Sequence, residues 1–229
     1  MAFANGPKIV TDGLILALDA ADRTSYPGSG TAWNDLAGSN NGTLTNGPTY
    51  SSSNGGSIVF DGSDDYVNCG NINYNYSTTF TANVWFRLST INKNNTIIGF
   101  GSGDVVPYYY WMITVNNSNF LQFWAYDGNN RSISYNVALS INTWYNAVIT
   151  YNSGNCILYL NSTSVAAGTV ITANRSDIGA YTRLGYITWA SGPSNYLSGN
   201  IAVSQIYNRV LTTQEVSQNY NATKKRFGL

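Results

Sequence analysis

The chain has 229 residues, and its 11 basic and 11 acidic residues give a net charge of zero. Charged residues make up only 10% of the chain, so its polar surface depends on 31 Asn residues together with Ser, Thr and Gly. The chain has no histidine, which excludes a Ser-His-Asp triad and a histidine-ligated metal. Basic residues are scattered and no apolar run is long, which argues against nucleic-acid binding and against a membrane span.

The N-terminal region predicts an arm, a buried strand and a long turn-rich segment. Residues 1–11 form the arm; no secretory signal is visible there, and we interpret Met1 as a native start. Leu14–Asp19 is a near-continuous apolar run, which is typical of a buried strand. Residues 20–48 contain several turn dipeptides. A segment of this kind is often functional, although it can equally cross one end of a sandwich.

The middle of the chain alternates short strand patterns with Asn- and Gly-rich turns. Thr79–Leu88 predicts a half-buried strand with Trp85 and Arg87 on its polar side. Tyr108–Val115 and Phe120–Tyr126 predict a hairpin. The other predicted strands are Ser57–Phe60, Tyr66–Cys69, Ile97–Phe100, Arg131–Val137, Trp144–Tyr151, Cys156–Asn161 and Leu184–Ile187, the last of which leads to a turn at Gly192–Pro193.

The stretch Tyr196–Ala222 predicts a strand followed by the one convincing helix start in the sequence. Its strand half is interrupted around Ser204–Gln205, which indicates a bend or a bulge. Thr212 and Glu215 have the spacing of a capping box, in which each side chain bonds the backbone N–H of the other residue. The predicted helix covers residues 212–223 and is expected to cap one edge or end of the body.

The remaining chemistry-bearing residues predict little catalysis. Cys69 and Cys156 are too far apart for a metal or redox motif, and two buried thiols are favoured over a single disulfide. Glu215 is the only glutamate and is used by the helix cap, so a glycosidase would depend on aspartates for its carboxylate pair. The tail, residues 224–229, is expected either to be a solvated end or to be held by a partner chain.

Strand patterns that recur at short spacing from end to end predict an all-β fold. We expect a single domain over residues 1–229, built as a two-sheet antiparallel sandwich or jelly roll with one short C-terminal helix. Neither an internal repeat nor a linker is visible in the sequence.

Several segments together resemble the laminin-G-like, concanavalin A-like jelly-roll family. They are Asp12–Ala21, Ser57–Val67, Phe80–Arg87, Trp144–Tyr151, Cys156–Ser162 and Gly199–Val216. Tyr26–Leu36 and Asn40–Pro48 look like the version found in virion proteins of tailed phages, especially marine and cyanobacterial ones. The resemblance implies two curved sheets with loops gathered at one rim, and binding of glycans or proteins, sometimes with a calcium ion. The fold alone does not fix which of these functions applies.

Three aspartates form the candidate metal site. Asp61, Asp64 and Asp65 offer the hard oxygen ligands that calcium prefers. The same residues can instead make a turn in which a carboxylate caps backbone N–H groups. No cofactor is required by this interpretation, and calcium is an optional ligand.

An aromatic run forms the candidate carbohydrate-binding site. Alternate residues of a strand face opposite ways, so two of the four residues in Tyr108–Trp111 can point outward and stack on sugar rings. The candidate residues are Asp104, Tyr108, Tyr109, Trp111, Trp124, Asn129, Asn130 and Trp189. The run can instead be core on one face and a subunit contact on the other.

The leading hypothesis is a non-enzymatic structural protein of a phage virion, displayed as a head decoration, a fibre or another surface component. It is expected to be oligomeric, with copies of itself, other virion proteins and host or environmental glycans as partners, and with neither nucleic acid nor membrane among them. The alternative is an extracellular, lectin-like carbohydrate-binding module of a cellular or secreted protein.

Overall fold

Two antiparallel sheets form the structure, a computed structural model that describes residues 7–72, 78–101, 110–126, 129–170, 181–187 and 195–229. The strands in this part of the chain are β1 (Leu14–Asp19), β2 (Ala32–Trp33), β3 (Gly42–Thr45), β4 (Thr49–Ser51), β5 (Ser57–Asp61), β6 (Tyr66–Asn68), β7 (Thr79–Leu88), β8 (Asn95–Gly101), β9 (Tyr110–Val115), β10 (Phe120–Tyr126), β11 (Asn130–Ala138), β12 (Trp144–Asn152), β13 (Asn155–Leu160), β14 (Thr163–Thr169), β15 (Tyr181–Leu184) and β16 (Ser198–Tyr207). They are followed by one helix, α1 (Thr213–Thr223), and the chain also has 3₁₀ helices at Ser53–Gly55 and Lys224–Phe227.

The strands divide between sheet A and sheet B, which pack face to face. Sheet A has the order β14-β13-β12-β7-β16-β5-β4, with β1 also paired to β16. Sheet B has the order β11-β10-β9-β8-β15-β6-β3-β2. All of the strand pairings are antiparallel. The predicted antiparallel sandwich with a short C-terminal helix is confirmed.

The core between the sheets is built from the inward-facing residue of each alternating pair. In β10, Leu121, Phe123 and Ala125 are fully buried, whereas the intervening side chains are half-buried. Phe80 stacks between Trp111 and Tyr151, with ring centroids 4.7 and 5.1 Å away. This alternation sends every second residue of sheet B outward, which sets up the surface described below.

The two cysteines lie buried in the core region as free thiols, as predicted. Burial raises the pKa of Cys69 to about 12 and that of Cys156 to about 11. Both thiols therefore stay protonated at neutral pH and are poor nucleophiles. Among the described residues, no helix is long and apolar enough to cross a membrane.

Several short or weakly apolar strands escaped the sequence analysis. The predicted turn-rich segment contains β2 and β3, and β14 consists largely of Thr, Ala and Gly, which have little apolar periodicity. The strand predicted at Leu184–Ile187 begins earlier, at Tyr181, and ends at Leu184. It ends there because Gly185 takes a left-handed φ of 81°. The predicted turn at Gly192–Pro193 lies outside the described residues.

The expectation that β7 is half-buried is wrong. Trp85, on its predicted polar side, is fully buried, and Arg87 is half-buried. The reason is that α1 and the tail lie over the outer face of sheet A, so both sides of β7 are covered. The helix thus covers a sheet face, and the prediction that it would cap an edge or end is also wrong.

The helix begins as its sequence predicts. The Thr212 side chain accepts a hydrogen bond from the Glu215 N–H, and the Glu215 carboxylate accepts one from the Thr212 N–H at 2.8 Å. Leu211 and Val216 pack together with Tyr207 on the outer face of sheet A. The cap therefore fixes where the helix starts, and the apolar contacts fix where it lies.

The tail is held by its own chain, which corrects the expectation of a solvated end or of a partner chain. Phe227 is 7% exposed and stacks on Trp85, with ring centroids 4.1 Å apart. Arg226 pairs with Asp19 at 2.5 Å and donates to the carbonyl of Asn54 at 2.6 Å. An aromatic contact and an ion pair together fasten the last 3₁₀ helix onto sheet A.

The strand β16 lies at the centre of sheet A, and all ten of its residues are buried. One side pairs with β7, while the other side pairs first with β5 and then with β1. The register shifts between Ile201 and Val203, so the irregularity lies just before the predicted Ser204–Gln205. The carbonyl of Ala202 accepts a hydrogen bond from Ala20 at 3.0 Å, at the point where the partner strand changes.

Candidate functional site

The outer face of sheet B carries a row of residues that crosses six neighbouring strands, which we call the cross-strand row. In order across the sheet, each paired with the next, its members are Trp124, Met112, Gly99, Arg183, Asn68 and Thr43. Their neighbours along the strands, such as Phe123 and Leu184, are buried between the sheets. Strand alternation therefore directs the row away from the core.

Beyond the middle of the row, a group of tyrosines, which we call the tyrosine cluster, surrounds Arg183. The rings of Tyr186 and Tyr196 stack with centroids 4.3 Å apart and planes 15° apart. Tyr66 lies against Tyr186 with ring centroids 5.7 Å apart. The guanidinium carbon of Arg183 lies 5.1 Å from the ring centroid of Tyr181 and 5.8 Å from that of Tyr186. A delocalised cation thus lies among aromatic rings that are half-buried or exposed.

Local sequence explains how the tyrosine cluster forms. Tyr181 and Arg183 alternate outward on β15, and Tyr66 does so on β6. The left-handed turn at Gly185 brings Tyr186 back toward the same face. The cluster therefore combines residues from three separate parts of the chain.

The hydroxyl group of Tyr196 holds its proton at physiological pH. Burial, together with the charges of the neighbouring Tyr186 and Asp64, raises the pKa of Tyr196 to about 12. A protonated phenol can both donate and accept a hydrogen bond. The cluster consequently offers flat apolar rings, hydroxyl groups and one permanent cation within a small area.

One end of the row is an apolar group that we call the Trp124 cluster. Met112 and Ile187 are each 2% exposed and pack with the half-buried rings of Trp124 and Tyr126. Ile187 also closes over Gly99, where an added Cβ would lie 2.8 Å from the Ile187 Cδ1 atom. A side chain at position 99 would therefore displace Ile187, and the region between the two clusters is apolar and buried.

An acidic turn adjoins the tyrosine cluster, in the loop between β5 and β6. Asp61, Asp64 and Asp65 each place a carboxylate oxygen within 4.8 Å of the others. The carboxylate of Asp65 accepts from the Asp61 N–H at 3.0 Å, and that of Asp61 accepts from the Ser63 N–H at 2.8 Å. Burial raises the pKa of Asp65, and the negative charges of Asp61 and Asp64 add to this effect.

The acidic turn combines features of both predicted interpretations. Its side chains do cap backbone N–H groups, as the turn interpretation holds. Their spacing also allows one calcium ion to contact all three, because calcium–oxygen bonds of about 2.5 Å let two ligands of one ion lie about 5 Å apart. Lys93 lies beside them and donates to the carbonyl of Gly62 at 3.0 Å. The ammonium group of Lys93 thus already provides a positive charge near the turn.

The structure places the predicted carbohydrate-binding residues unevenly. Trp124 lies on the outer face of sheet B, Asn129 is exposed before β11, and Asn130 is the first residue of that strand. Trp111 is fully buried and stacked on Phe80, so its selection as a sugar-stacking residue is wrong and the core alternative holds for it. The four remaining candidates, which lie outside the described residues, are Asp104, Tyr108, Tyr109 and Trp189.

The tyrosine cluster was missed because its members are dispersed in the sequence. No single segment holds more than three of them, and the segment Tyr181–Tyr186 straddles the end of a strand that we placed too late. The alternation of Tyr181 and Arg183 was the one signal that could have indicated an outward face. Only the strand order β15-β6 brings Tyr66 beside them.

The single glutamate is fully engaged in structure. Arg209 binds Glu215 through two nitrogen–oxygen contacts of 2.6 and 3.0 Å. These bonds, together with the Thr212 cap, lower the pKa of Glu215 to about 2. Glu215 is therefore ionised throughout the neutral range and holds no proton to donate.

Similar folds occur in solved structures with little sequence identity. A Trypanosoma rangeli sialidase in complex with 2,3-difluorosialic acid matches with a TM-score of 0.69 and 13% identity, over 98% of this chain and 36% of the sialidase chain. The chain therefore spans about a third of the length of that sialidase. The binding domain of botulinum neurotoxin serotype D matches with a TM-score of 0.69 and 17% identity, over 92% of this chain and 52% of that chain.

A third similar structure is itself a domain of comparable size. Domain 4 of an extracellular arabinanase from Geobacillus stearothermophilus, in complex with arabinotriose, has a TM-score of 0.70 and 15% identity. The match covers 90% of this chain and 98% of that domain. At these identities the likeness establishes the fold alone.

Sequence comparison adds a family match. Among curated proteins, none has a significantly similar sequence. The family model of the laminin-G type, described as the concanavalin A-like lectin/glucanases superfamily, matches residues 61–217. This range contains the acidic turn, both clusters and the start of α1.

Proposed function

Since the chain belongs to the concanavalin A-like lectin/glucanases superfamily, we propose that it is a non-catalytic module that binds carbohydrate on the outer face of sheet B. The observation that carries the proposal is the tyrosine cluster around Arg183. Its rings are partly exposed on a sheet face over which no helix lies among the described residues. On sheet A the corresponding aromatic rings are buried beneath α1 and the tail.

The chemistry of the cluster suits a sugar. The C–H faces of a sugar ring pack well on flat aromatic rings, and sugar hydroxyls need donors and acceptors at the edges of those rings. The hydroxyl groups of Tyr186 and Tyr196 and the Arg183 guanidinium can supply these bonds. The carboxylates of the adjoining acidic turn add acceptors. Fixed rings with polar edges therefore give orientation as well as contact area.

A binding role without turnover is supported by the carboxyl chemistry. The only glutamate is bound to Arg209 and carries a lowered pKa, and the chain has no histidine. General acid catalysis needs a group whose pKa lies near the working pH. The sialidase and arabinanase activities in the names of similar structures are properties of those proteins.

Carbohydrate binding can be tested with a glycan array and two matched variants. We expect the native protein to bind a subset of the glycans and Tyr186→Ala to lose that binding. Leu36→Ala, which removes an exposed apolar side chain next to β1 of sheet A, should bind as the native protein does. An array without any binder would refute the proposal. Release of new reducing ends from bound glycans would refute its non-catalytic part.

We also propose calcium as an optional ligand of the acidic turn. The proposal rests on three convergent carboxylates as hard oxygen donors. Calcium should raise the melting temperature of the native protein and have a smaller effect on Asp64→Asn. Identical melting temperatures in calcium and in a chelator would refute calcium binding and would leave the carbohydrate-binding proposal intact.

The biological setting that we propose is the surface of a phage virion, where the module works as an oligomeric head decoration, fibre or other surface component. Support comes from the resemblance of Tyr26–Leu36 and Asn40–Pro48 to virion proteins, and from a surface that depends on Asn, Ser and Thr. Mass spectrometry of density-purified particles should detect the chain in stoichiometric amounts. Recovery as a monomer from a secreted cellular enzyme complex would favour the alternative of an extracellular lectin-like module.

A further inference from the structure

Tyr186 and Tyr196 are held directly opposite each other where the two sheets connect. Tyr186 lies two residues beyond β15 of sheet B, and Tyr196 lies two residues before β16 of sheet A. The N–H of Leu197 donates to the carbonyl of Gly185 at 2.8 Å, so the residues next to this hydrogen bond face one another as in a cross-strand pair. The pair therefore spans the junction between the sheets.

The two phenol rings are aligned face to face and end to end. Their centroids are 4.3 Å apart and their planes differ by 15°. A hydrogen bond joins the two hydroxyl groups, so the hydroxyl ends of the rings coincide. The ring carbons next to the hydroxyls are thereby brought together. These ortho carbons carry much of the unpaired spin of a phenoxyl radical, and they are the atoms through which two phenols couple.

We propose that Tyr186 and Tyr196 form an oxidative cross-linking site, at which a one-electron oxidant such as a haem peroxidase with hydrogen peroxide joins the two rings as a dityrosine. Each phenol gives one electron to the oxidant and its hydroxyl proton to water. A carbon–carbon bond forms between the two ortho carbons, and the hydrogen on each of these carbons moves to the hydroxyl oxygen, which restores both rings. Two electrons and two protons leave the protein, and one hydrogen peroxide is reduced to two waters. This modification is independent of the carbohydrate binding proposed above.

The cross-link would connect sheet A and sheet B by a covalent bond. A disulfide makes such a connection in other proteins and stabilises them by restricting the unfolded chain. Here Cys69 and Cys156 are buried free thiols. The half-buried rings of Tyr186 and Tyr196 reach the surface, where an oxidant can take an electron from them.

Two other tyrosine pairs provide an internal comparison. Tyr66 lies 5.7 Å from Tyr186 between ring centroids, with planes 50° apart. Tyr26 and Tyr50 are 5.4 Å apart with planes at 35°, and Tyr26 is only 2% exposed. Both pairs are more distant and more tilted than Tyr186 and Tyr196. We therefore expect coupling at Tyr186–Tyr196 in preference to either of them.

The experiment is oxidation of the native protein at low concentration with a haem peroxidase and hydrogen peroxide, followed by mass spectrometry. Trypsin cleaves after Arg183 and Arg209, so both tyrosines lie in one peptide, residues 184–209. We expect this peptide to lose two hydrogen atoms, to show dityrosine fluorescence and to yield no fragment ions from cleavage between Tyr186 and Tyr196. A cross-link to Tyr207, which lies in the same peptide, would leave those fragment ions absent only together with the ions beyond Tyr196.

Two conservative variants test the assignment, because each keeps the ring and its stacking. Tyr196→Phe should abolish the cross-link, whereas Tyr181→Phe, which removes the hydroxyl of an exposed neighbour, should cross-link as the native protein does. Oxidation should raise the melting temperature of the native protein and leave that of Tyr196→Phe unchanged. Modification of Tyr181 in a native protein whose 184–209 peptide stays unaltered would overturn the proposal, as would equal cross-linking in Tyr196→Phe. The glycan array reports on carbohydrate binding separately, so failure of one proposal is distinguishable from failure of the other.

Discussion

The outer faces of the two sheets make opposite use of the same residue types. On sheet A, Trp85 and Tyr207 are buried because α1 and the tail lie over them. On sheet B, Tyr186 and Trp124 stay half-buried, and within the described residues no helix lies over them. The same residue types are thus fully buried on one outer face and partly exposed on the other.

The polar side chains buried on the covered face of sheet A are paired by hydrogen bonds. Asn146 donates a hydrogen bond to Asn83 at 2.6 Å, and Asn83 donates one to Gln205 at 2.7 Å. All three residues belong to sheet A and are buried. Buried amides are costly unless they are paired, and this chain of hydrogen bonds links β12, β7 and β16. The tyrosine rings around Arg183 are half-buried or exposed by contrast.

The largest expected effect comes from removing the main aromatic ring of the covered face. Trp85→Ala should lower the free energy of unfolding by about 3 to 5 kcal/mol, because the ring is fully buried between Tyr220 and Phe227. For a chain of this size the melting temperature should fall by roughly 6 to 20 °C. Differential scanning calorimetry measures this. A loss similar to that of a surface substitution would mean that the face is not covered in solution.

Loosening the tail should have the next largest effect. Arg226→Ala removes the ion pair with Asp19 and bonds to the carbonyls of Asn54 and Gly56. We expect a loss of about 1.5 to 3 kcal/mol in urea unfolding, which is typical of hydrogen bonds to a charged group. The neighbouring Lys225→Ala is the control and should be close to neutral. Equal effects of the two variants would contradict the role of Arg226 in holding the tail.

The start of the helix should give a smaller, pH-dependent effect. Glu215→Gln should cost about 1 to 2 kcal/mol at pH 7, by weakening the cap and removing the charge that faces Arg209. The pKa of Glu215 is lowered from 4.5 to about 2 in the folded chain. Its stabilising effect is therefore complete above the unfolded value and disappears as the pH falls from about 4.5 to 2. A difference between variant and native unfolding that persists at pH 2 would contradict this.

The smallest expected change in stability lies on the uncovered face. Tyr186→Ala should cost about 1 kcal/mol, since it removes one stacked pair of half-buried rings. The same variant should lose carbohydrate binding, as proposed above. Thermal melting and the array, run on one preparation, separate the two effects. A stability loss as large as that of Trp85→Ala would mean that both faces serve the fold alike.

Much of the fold could be predicted from local patterns. Thr79–Leu88 has its predicted bounds because Phe80, Ala82, Val84 and Phe86 alternate with other residues over its whole length. The cap of Thr212 and Glu215 could be predicted because both partners lie within four residues. Strands such as β3 and β14 could not, since their own composition has little apolar periodicity and it is pairing with neighbouring strands that makes them strands.

The candidate site was far less accessible to sequence reasoning. The acidic turn could be found because its three aspartates lie within five residues of one another. The choice of Trp111 failed because the phase of β9 relative to the core depends on its register with β8 and β10, and that register points Trp111 inward and Met112 outward. A shift of one residue would have exchanged the two.

The sequence by itself determined the class of architecture, the helix start and the lack of histidine chemistry, because each depends on composition or on residues close along the chain. The tertiary structure alone decided which aromatic residues are buried and which stay partly exposed. That choice depends on strand order, on register and on where the helix and tail come to lie. These are contacts between residues far apart in the sequence. Because of them Trp85 is fully buried and Tyr186 is half-buried, although both are aromatic residues on outer sheet faces.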